Sequence, residues 1–312
     1  MKKIVIGLIL MGLFSQSSYA GKYGTAVTRG GQAKMSFRVL DDEGQPVGSA
    51  TVRAAFYFDL KKQGMIISET DTNGVCSVEG ITHMDVSYQI QKDGCYRTDG
   101  CYVFGMVEPP VINNCWQPWD PTNTVILKRM KNPVPMYVKS LNVGVPEFGK
   151  SLGFDIEKGD WVTPYGQGAS SDLLFYPELA QRSSDDFDYT LTLTFPNEKD
   201  GIQTFKGPTF NEGSQLKSNY ETPKDGYLSE WKQFRKRRLK EGETNNIDEN
   251  RTYYFRVRTV LDKDGNIVSA LYGKIYGDFL NFTYYLNPTP NDRNIEFDPA
   301  KNLFGGRDRF AP

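Results

Sequence analysis

Histidine is nearly absent from this chain: His83 is the only one in 312 residues. A Ser–His or Cys–His machine would need it as the base, and no G-x-S-x-G elbow accompanies it. Histidine-rich metal sites are excluded by count. Charge of one sign is also missing, with 37 Lys and Arg against 38 Asp and Glu. That balance gives no reason to expect nucleic acid or an anionic membrane as partner. No low-complexity tract or long repeat is visible. Beyond the N-terminus there is no apolar run approaching the roughly 20 residues that a membrane helix requires.

What is present begins with an address. Lys2 and Lys3 precede a short apolar stretch over residues 4–14, and Ser18-Tyr19-Ala20 supplies small residues where a signal peptidase reads. Residues 1–20 are therefore predicted to be a signal peptide, leaving a periplasmic or secreted protein. No cysteine follows the cleavage point, which argues against a lipoprotein anchor. Cysteine is scarce, at four, and all four lie between positions 76 and 115. An even number in an exported chain predicts two disulfides. Four cysteines allow three pairings. The turn-like Arg97-Thr98-Asp99-Gly100 favours Cys95–Cys101, which leaves Cys76–Cys115 to close the longer loop. A zinc site is the alternative, but the paired C-x-x-C knuckle is lacking.

The length exceeds one ordinary domain of about 100–150 residues, and the pattern divides accordingly. Residues 21–131 carry short β-rich runs separated by Asp41-Asp42-Glu43-Gly44 and Asp71-Thr72-Asn73-Gly74, the spacing of an all-β sandwich. Asn132-Pro133-Val134-Pro135 reads as a linker. Residues 136–312 are again mainly β. The run 188–195 alternates cleanly, and Asp262-Lys263-Asp264-Gly265-Asn266 lies between two strand-like runs as a hairpin. One helix is expected at 228–240, where Trp231, Phe234 and Leu239 fall at roughly helical spacing. The tail from 287 onward, rich in Pro, Asn and Asp, reads as an extended strap.

The segment V-L-D-D-E-G-Q-P-V-G-S-A over 39–50, with Thr70-Asp71-Thr72-Asn73-Gly74 and Lys92-Asp93-Gly94, resembles the carboxypeptidase regulatory-like domain. The resemblance covers about a third of the chain and implies a transthyretin-like seven-stranded β-sandwich. Cys95, Cys101 and the segment 116–121 depart from the plain module. The remainder is similar to a companion region of exported, uncharacterised bacterial proteins, on the residues of 132–137, 153–161 and 285–293. Neither resemblance supplies catalytic residues.

Two constellations could carry function. Trp116 and Trp119, near Tyr102 and Phe104, could stack on sugar faces, and Trp161 with Tyr165 could form a second platform. Core or interface packing is the competing explanation, and Trp116-x-x-Trp119 beside prolines suits a plug between the two domains. Asp155, Glu157, Asp160 and Asp172 gather around Trp161, and a glycosidase needs two such acids. Acids near strand ends are more often solvated turn residues. Asp262-x-Asp264-x-Asn266 has calcium-loop spacing but lacks the glycine and distal acid of a complete loop. The basic run Lys232, Arg235, Lys236, Arg237, Arg238 and Lys240 could grip an anionic glycan, though Glu230, Glu241 and Glu243 blunt it. The expectation is a non-enzymatic binding or structural protein of the cell envelope, without cofactor or metal. Its ligand would be a partner protein or a carbohydrate. A glycan hydrolase using the acids near Trp161 is the rival.

Overall fold

The computed structural model describes residues 23–312 apart from 60–61, 143, 206, 208–212, 248–251, 280 and 306–309. The signal-peptide reading of residues 1–20 falls outside the described residues. What is described is all-β, with one turn of helix at Ala26–Arg29. The chain divides into two compact units, Met1–Arg129 and Met130–Pro312.

In the first unit the strand Gly31–Leu40 is central. It pairs antiparallel with Val75–Thr82 on one side and parallel with Thr122–Ile126 on the other. A second set is built on Thr51–Asp59, which pairs antiparallel with Lys62–Glu69 and, across its other edge, with Asp85–Gln91. Asp85–Gln91 in turn carries Thr98–Val103. The two sets join at the pair Tyr57–Ile81. Alternation explains the core: Ala33, Met35, Phe37 and Val39 point inward from one set, and Val52, Ala54 and Phe56 from the other.

Three turns share one construction. Asp41, Asp71 and Asp262 each accept, through Oδ1, the backbone N–H groups two and four residues ahead, at 2.8–3.0 Å. The motif D-x-x-G-x thus writes its own closure: the side chain replaces ladder bonds, and glycine takes the left-handed position. Gly74 shows why glycine is needed, because at φ +74° an added Cβ would also meet the Val39 carbonyl oxygen at 2.4 Å. The turn at Asp262 is the hairpin read from the sequence; its acid is spent on backbone N–H groups.

Asp41 is buried, and Arg129 Nη2 lies 2.7 Å from its Oδ2. Burial pushes its carboxyl up, but hydrogen bonds from Gln45, Arg129 and Glu43 outweigh this and hold it below the usual value. A depressed acid stabilises the fold above its unfolded value of about 3.9, and that contribution is lost as pH falls through the folded value. Asp41→Asn should therefore destabilise at pH 6, with the gap to wild type narrowing towards pH 3 in denaturant titrations. A gap independent of pH would contradict this role.

The two expected disulfides are not formed: all four cysteines are thiols. The turn expected at 97–100 does not exist, because Thr98 begins a strand that carries Cys101 opposite Ser87, while Cys95 bridges to Arg129. Cys76 and Cys115 flank the central strand on opposite edges, at Phe37 and Gln32. Two strand spacings and five residues of rise separate them by roughly 20 Å, against the 4.4–6.8 Å between Cα atoms that a disulfide requires.

The second unit holds two sheets. One runs Gly201–Thr204, Thr252–Leu261, Ile267–Asp278, Asn281–Asn287, Val134–Asn142 and Phe297–Asn302 in spatial order. The last of these pairs parallel with Val134–Asn142, so the tail contributes a strand where an irregular strap was expected. The other sheet runs Asp160–Trp161, Leu152–Asp155, Leu173–Ser183, Asp186–Thr194, Glu230–Arg238 and Gly242–Asn245. Phe154, Phe175, Leu191 and Leu193 meet Tyr253, Phe255, Ile275 and Tyr284 in the core.

The helix expected at 228–240 is instead the strand Glu230–Arg238, paired on both edges. Trp231 and Gln233 share the inward face at period two, and Trp231 sits edge-on to Tyr253 at 5.4 Å. Leu239 is 74% exposed and belongs to no apolar face. The basic run is matched by acids on neighbouring strands and the turn between two of them: Arg235 with Glu243, Arg237 with Asp185, and Arg238 with Asp186 and Asp188. Such exposed pairs contribute about 0–1 kcal/mol each. They make this a solvated sheet face with little positive charge to spare.

Candidate functional site

Of the acids gathered near Trp161, Asp155, Glu157 and Asp160 lie on a hairpin, Leu152–Asp155 and Asp160–Trp161, with Phe154 opposite Trp161, and Asp172 immediately precedes the strand Leu173–Ser183. Asp155 is buried and accepts four backbone N–H groups. Glu157 and Lys158 donate to its Oδ1 at 3.1 and 3.0 Å, and Ala169 and Ser170 donate to its Oδ2 at 3.0 and 3.1 Å. Burial pushes its carboxyl up, but the bonds from Ala169, Lys158 and Ser170, with the nearby Arg258, bring it below the ordinary range. Asp160 closes its own loop by accepting from the N–H groups of Trp161 and Gln167. Asp172, also buried, accepts the Ile156 N–H at 3.0 Å and grips Arg258 bidentately, Nε to Oδ1 at 2.7 Å and Nη2 to Oδ2 at 2.9 Å. Glu157 takes the remaining arm of the guanidinium.

Arg258 is the residue that draws these acids together, and sequence reasoning missed it. It sits in the strand Thr252–Leu261 where the register against Ile267–Asp278 shifts between Val257 and Val260. Its φ is +55°, unusual for a side-chained residue. The bulge frees two N–H groups, and the buried Asp200 accepts both: Arg258 N at 3.1 Å and Thr259 N at 2.8 Å. Burial raises the Asp200 carboxyl against these bonds. The hydrogen bonds it donates to Asp172, opposed by burial, raise the Arg258 guanidinium further above its already high value. A signal existed in the sequence, since an arginine inside the apolar run 252–261 needs a buried partner. The arrangement is a charge-assisted lock between the hairpin and the facing sheet. Among the described residues no group of three His, Cys, Asp or Glu is placed to hold a metal ion.

The aromatic candidates separate by exposure. Trp116 has 0% of its surface exposed and fills the core of the first unit, donating its indole N–H to the Thr82 carbonyl at 2.9 Å. Gly31 and Gly105 leave room for the ring, since a Cβ on either would approach it to 2.9–3.0 Å. Trp116 therefore offers no ligand platform and is a core residue of the first unit. Trp161, 7% exposed, stacks edge-on against Phe154 and Phe175 at 5.4 Å in the second unit's core. Tyr165 is half-buried and donates its hydroxyl to Glu147. Trp119 alone of the four candidates is exposed, at 42%.

Trp119 has company that the sequence did not single out. Val103, Met106, Val107 and Ile112 are also exposed, Met106 at 74%. This stretch is held in shape by its backbone. Gly105 N–H donates to Gln117 O at 2.8 Å, Gln117 N–H donates to Pro110 O at 2.9 Å, and Val111 pairs with Trp116. Asp120 anchors the far end through its N–H to Lys34 O and its carboxylate to Ser36 and Lys34. The buried indole of Trp116 is thus the peg under a loop that presents apolar side chains outward.

No family model and no curated protein matches the chain. Among solved structures it is similar to 3-chlorocatechol 1,2-dioxygenase of Rhodococcus opacus 1CP, at 14% identity over 32% of this chain, with a TM-score of 0.25. This chain spans 60% of that enzyme's length. It is also similar to a streptococcal ancillary pilin, at 11% identity over 80% of this chain and 60% of the other, with a TM-score of 0.21. A third is a protein of Bacteroides uniformis ATCC 8492 proposed to bind carbohydrate, at 11% identity over 83% of this chain and 98% of the other, with a TM-score of 0.18. Likenesses at these scores bear on neither fold nor function. Among the described residues no helix is long and apolar enough to cross a membrane.

Proposed function

We propose that the protein is a non-enzymatic binding component of the cell envelope, and that it holds a protein partner through the loop of Val103, Met106, Val107, Ile112 and Trp119. The observation that carries this reading is the exposure of five large apolar side chains in one braced segment of the first unit. The export signal read from residues 1–20 supports the compartment. The D-x-x-G turns and the two joined strand sets support a carboxypeptidase regulatory-like module as the scaffold. The hydrolase reading loses its footing because Asp155, Asp160 and Asp172 are spent as acceptors for backbone N–H groups and Arg258. A general acid needs a proton poised towards substrate. A sugar platform at Trp161 fails for want of an open ring face.

Co-sedimentation with isolated envelopes tests the proposal. Saturable binding is expected, abolished by protease treatment of the envelopes and weakened at least tenfold by Trp119→Ala or Met106→Asp. Saturable binding to a purified polysaccharide, lost on Trp119→Ala, would make the ligand a carbohydrate. Reducing sugar released by the wild type but not by a folded Asp160→Asn variant would overturn the reading altogether.

A further inference from the structure

The loop around Trp119 has a second support that the sequence did not mark, the segment 23–30. Its helical turn, Ala26–Arg29, is four residues long, and Thr25 before it makes no side-chain capping bond. A single turn fixes several dihedrals for almost no hydrogen bonds in return, so it does not persist unaided. Gly24, Thr25, Thr28 and Arg29 face solvent. The segment is therefore held by what its remaining residues touch, which places it among the parts of the unit that open most readily.

Those contacts converge on the Trp116 peg and on the loop. The Tyr23 ring lies 6.1 Å from that of Trp116 between centroids. It also closes on Gly105, where an added Cβ would meet Tyr23 Cε1 at 3.3 Å. Met106, the most exposed of the loop's apolar side chains, is the next residue. Ala26 is fully enclosed, and a Cβ added at Gly31 would meet its Cβ at 3.0 Å and Trp116 Nε1 at 2.9 Å. Thr82-His83-Met84 then ties the three parts together. The Thr82 carbonyl accepts the Trp116 indole N–H at 2.9 Å, and the Met84 carbonyl accepts the Phe104 N–H at 2.8 Å. Between them His83 Nδ1 lies 3.0 Å from the Val27 carbonyl oxygen. That oxygen can only accept, so Nδ1 carries the proton and donates.

We propose that segment 23–30 is a detachable clip whose docking orders the Trp119 loop and so sets how tightly the loop holds its partner. The second half rests on the binding role proposed for the loop. With the clip docked, the Tyr23 ring backs both Trp116 and Gly105. With the clip away, Phe104, Gly105 and Gln117 lose that backing while the strands of the unit keep their ladders. Only molecules with an ordered loop are competent to bind, so the apparent affinity falls by their fraction. Linkage makes the effect reciprocal, and a partner on the loop tightens the clip.

Amide hydrogen exchange on the full chain, paired with co-sedimentation on isolated envelopes, tests this. Tyr23→Ala and His83→Ala should each speed exchange at Phe104, Gly105 and Gln117 about tenfold, leaving the Thr51–Asp59 ladder unchanged. Tyr23→Phe keeps the ring and should exchange like the wild type. A residue that merely stabilised the unit would speed all of these amides together. Envelope binding should weaken by a similar factor in Tyr23→Ala and be retained in Tyr23→Phe. Loop exchange unchanged in both Tyr23→Ala and His83→Ala, or accelerated evenly through the unit, would overturn the clip. Full envelope binding by Tyr23→Ala, where Trp119→Ala abolishes it, would overturn the control of affinity and leave the binding role standing. A wild type that binds no envelope, with loop exchange still faster in Tyr23→Ala, would overturn the binding role and uphold the clip.

Discussion

Trp116→Ala is expected to cost the first unit about 4 kcal/mol, in line with large-to-small changes at buried tryptophans. The ring is fully enclosed, between space left by Gly31 and Gly105, with Tyr23 at 6.1 Å between centroids. Removing it leaves a cavity that a flanking β-framework cannot collapse to fill. It also strands the Thr82 carbonyl, and an unpaired buried acceptor adds about 1–3 kcal/mol where water cannot reach it. Against a total stability of about 5–15 kcal/mol, this is a large fraction and leaves a unit at the lower end of that range only marginally folded. A loss of this size lowers the melting temperature of a domain near 100 residues by roughly 15–30 °C. Trp119→Ala, three residues away, should change stability by no more than about 0.5 kcal/mol while removing partner binding. Thermal melts of the two variants side by side check the contrast. Equal melting temperatures would contradict the separation of a structural tryptophan from a contacting one.

Arg258→Met should destabilise the second unit by about 3–5 kcal/mol, because one cation answers several buried or half-buried carboxylates. Asp172 would lose both arms of its guanidinium partner, and Asp155 and Glu157 their nearest positive charge. The methionine would fill much of the volume without relieving that repulsion. Asp155, whose carboxyl the nearby Arg258 helps to hold down, would then gain its proton more readily in the folded state, so the deficit should shrink as pH falls from 7 towards 4. Asp172→Asn added to Arg258→Met should recover part of the loss, a coupling readable in a double-mutant cycle. Additive losses, or a deficit that grows on acidification, would contradict the lock. A catalytic role for these acids would give a different signature, with activity lost in a variant as stable as the wild type.

Strand alternation and turn chemistry are the features most legible in the sequence. The D-x-x-G-x turns announce themselves because each closes within five residues, so no distant partner has to be known. The all-β class follows from the same local signals. Where a property depended on what lies across the sheet, local pattern misled. The run at 228–240 has an aromatic spacing compatible with a helix. Only the backbone ladders with Asp186–Thr194 and Gly242–Asn245, brought alongside from elsewhere in the sequence, make it a strand. The cysteine expectation treated 97–100 as a turn, although Thr98 pairs with Ile90 and continues the sheet. Trp116 and Trp119 look equivalent as letters, and their opposite fates follow from place: Trp116 ends the short strand Cys115–Trp116 with its ring in the core, and Trp119 lies in the bend beyond it. Arg258 was invisible as the centre of the acid cluster because its partners Asp172 and Glu157 lie 86 and 101 residues away in sequence, and only the bulge turns its side chain towards them.

The most direct test of the central claim is site-specific photo-crosslinking in intact envelopes, with the reactive side chain placed in turn at positions 106, 119, 160 and 268. A discrete protein adduct at 106 and 119, absent at 160 and 268, is the expected result. Adducts confined to 160, or none at 106 and 119 where the protein is folded and in place, would contradict a contact made through the first unit's exposed loop.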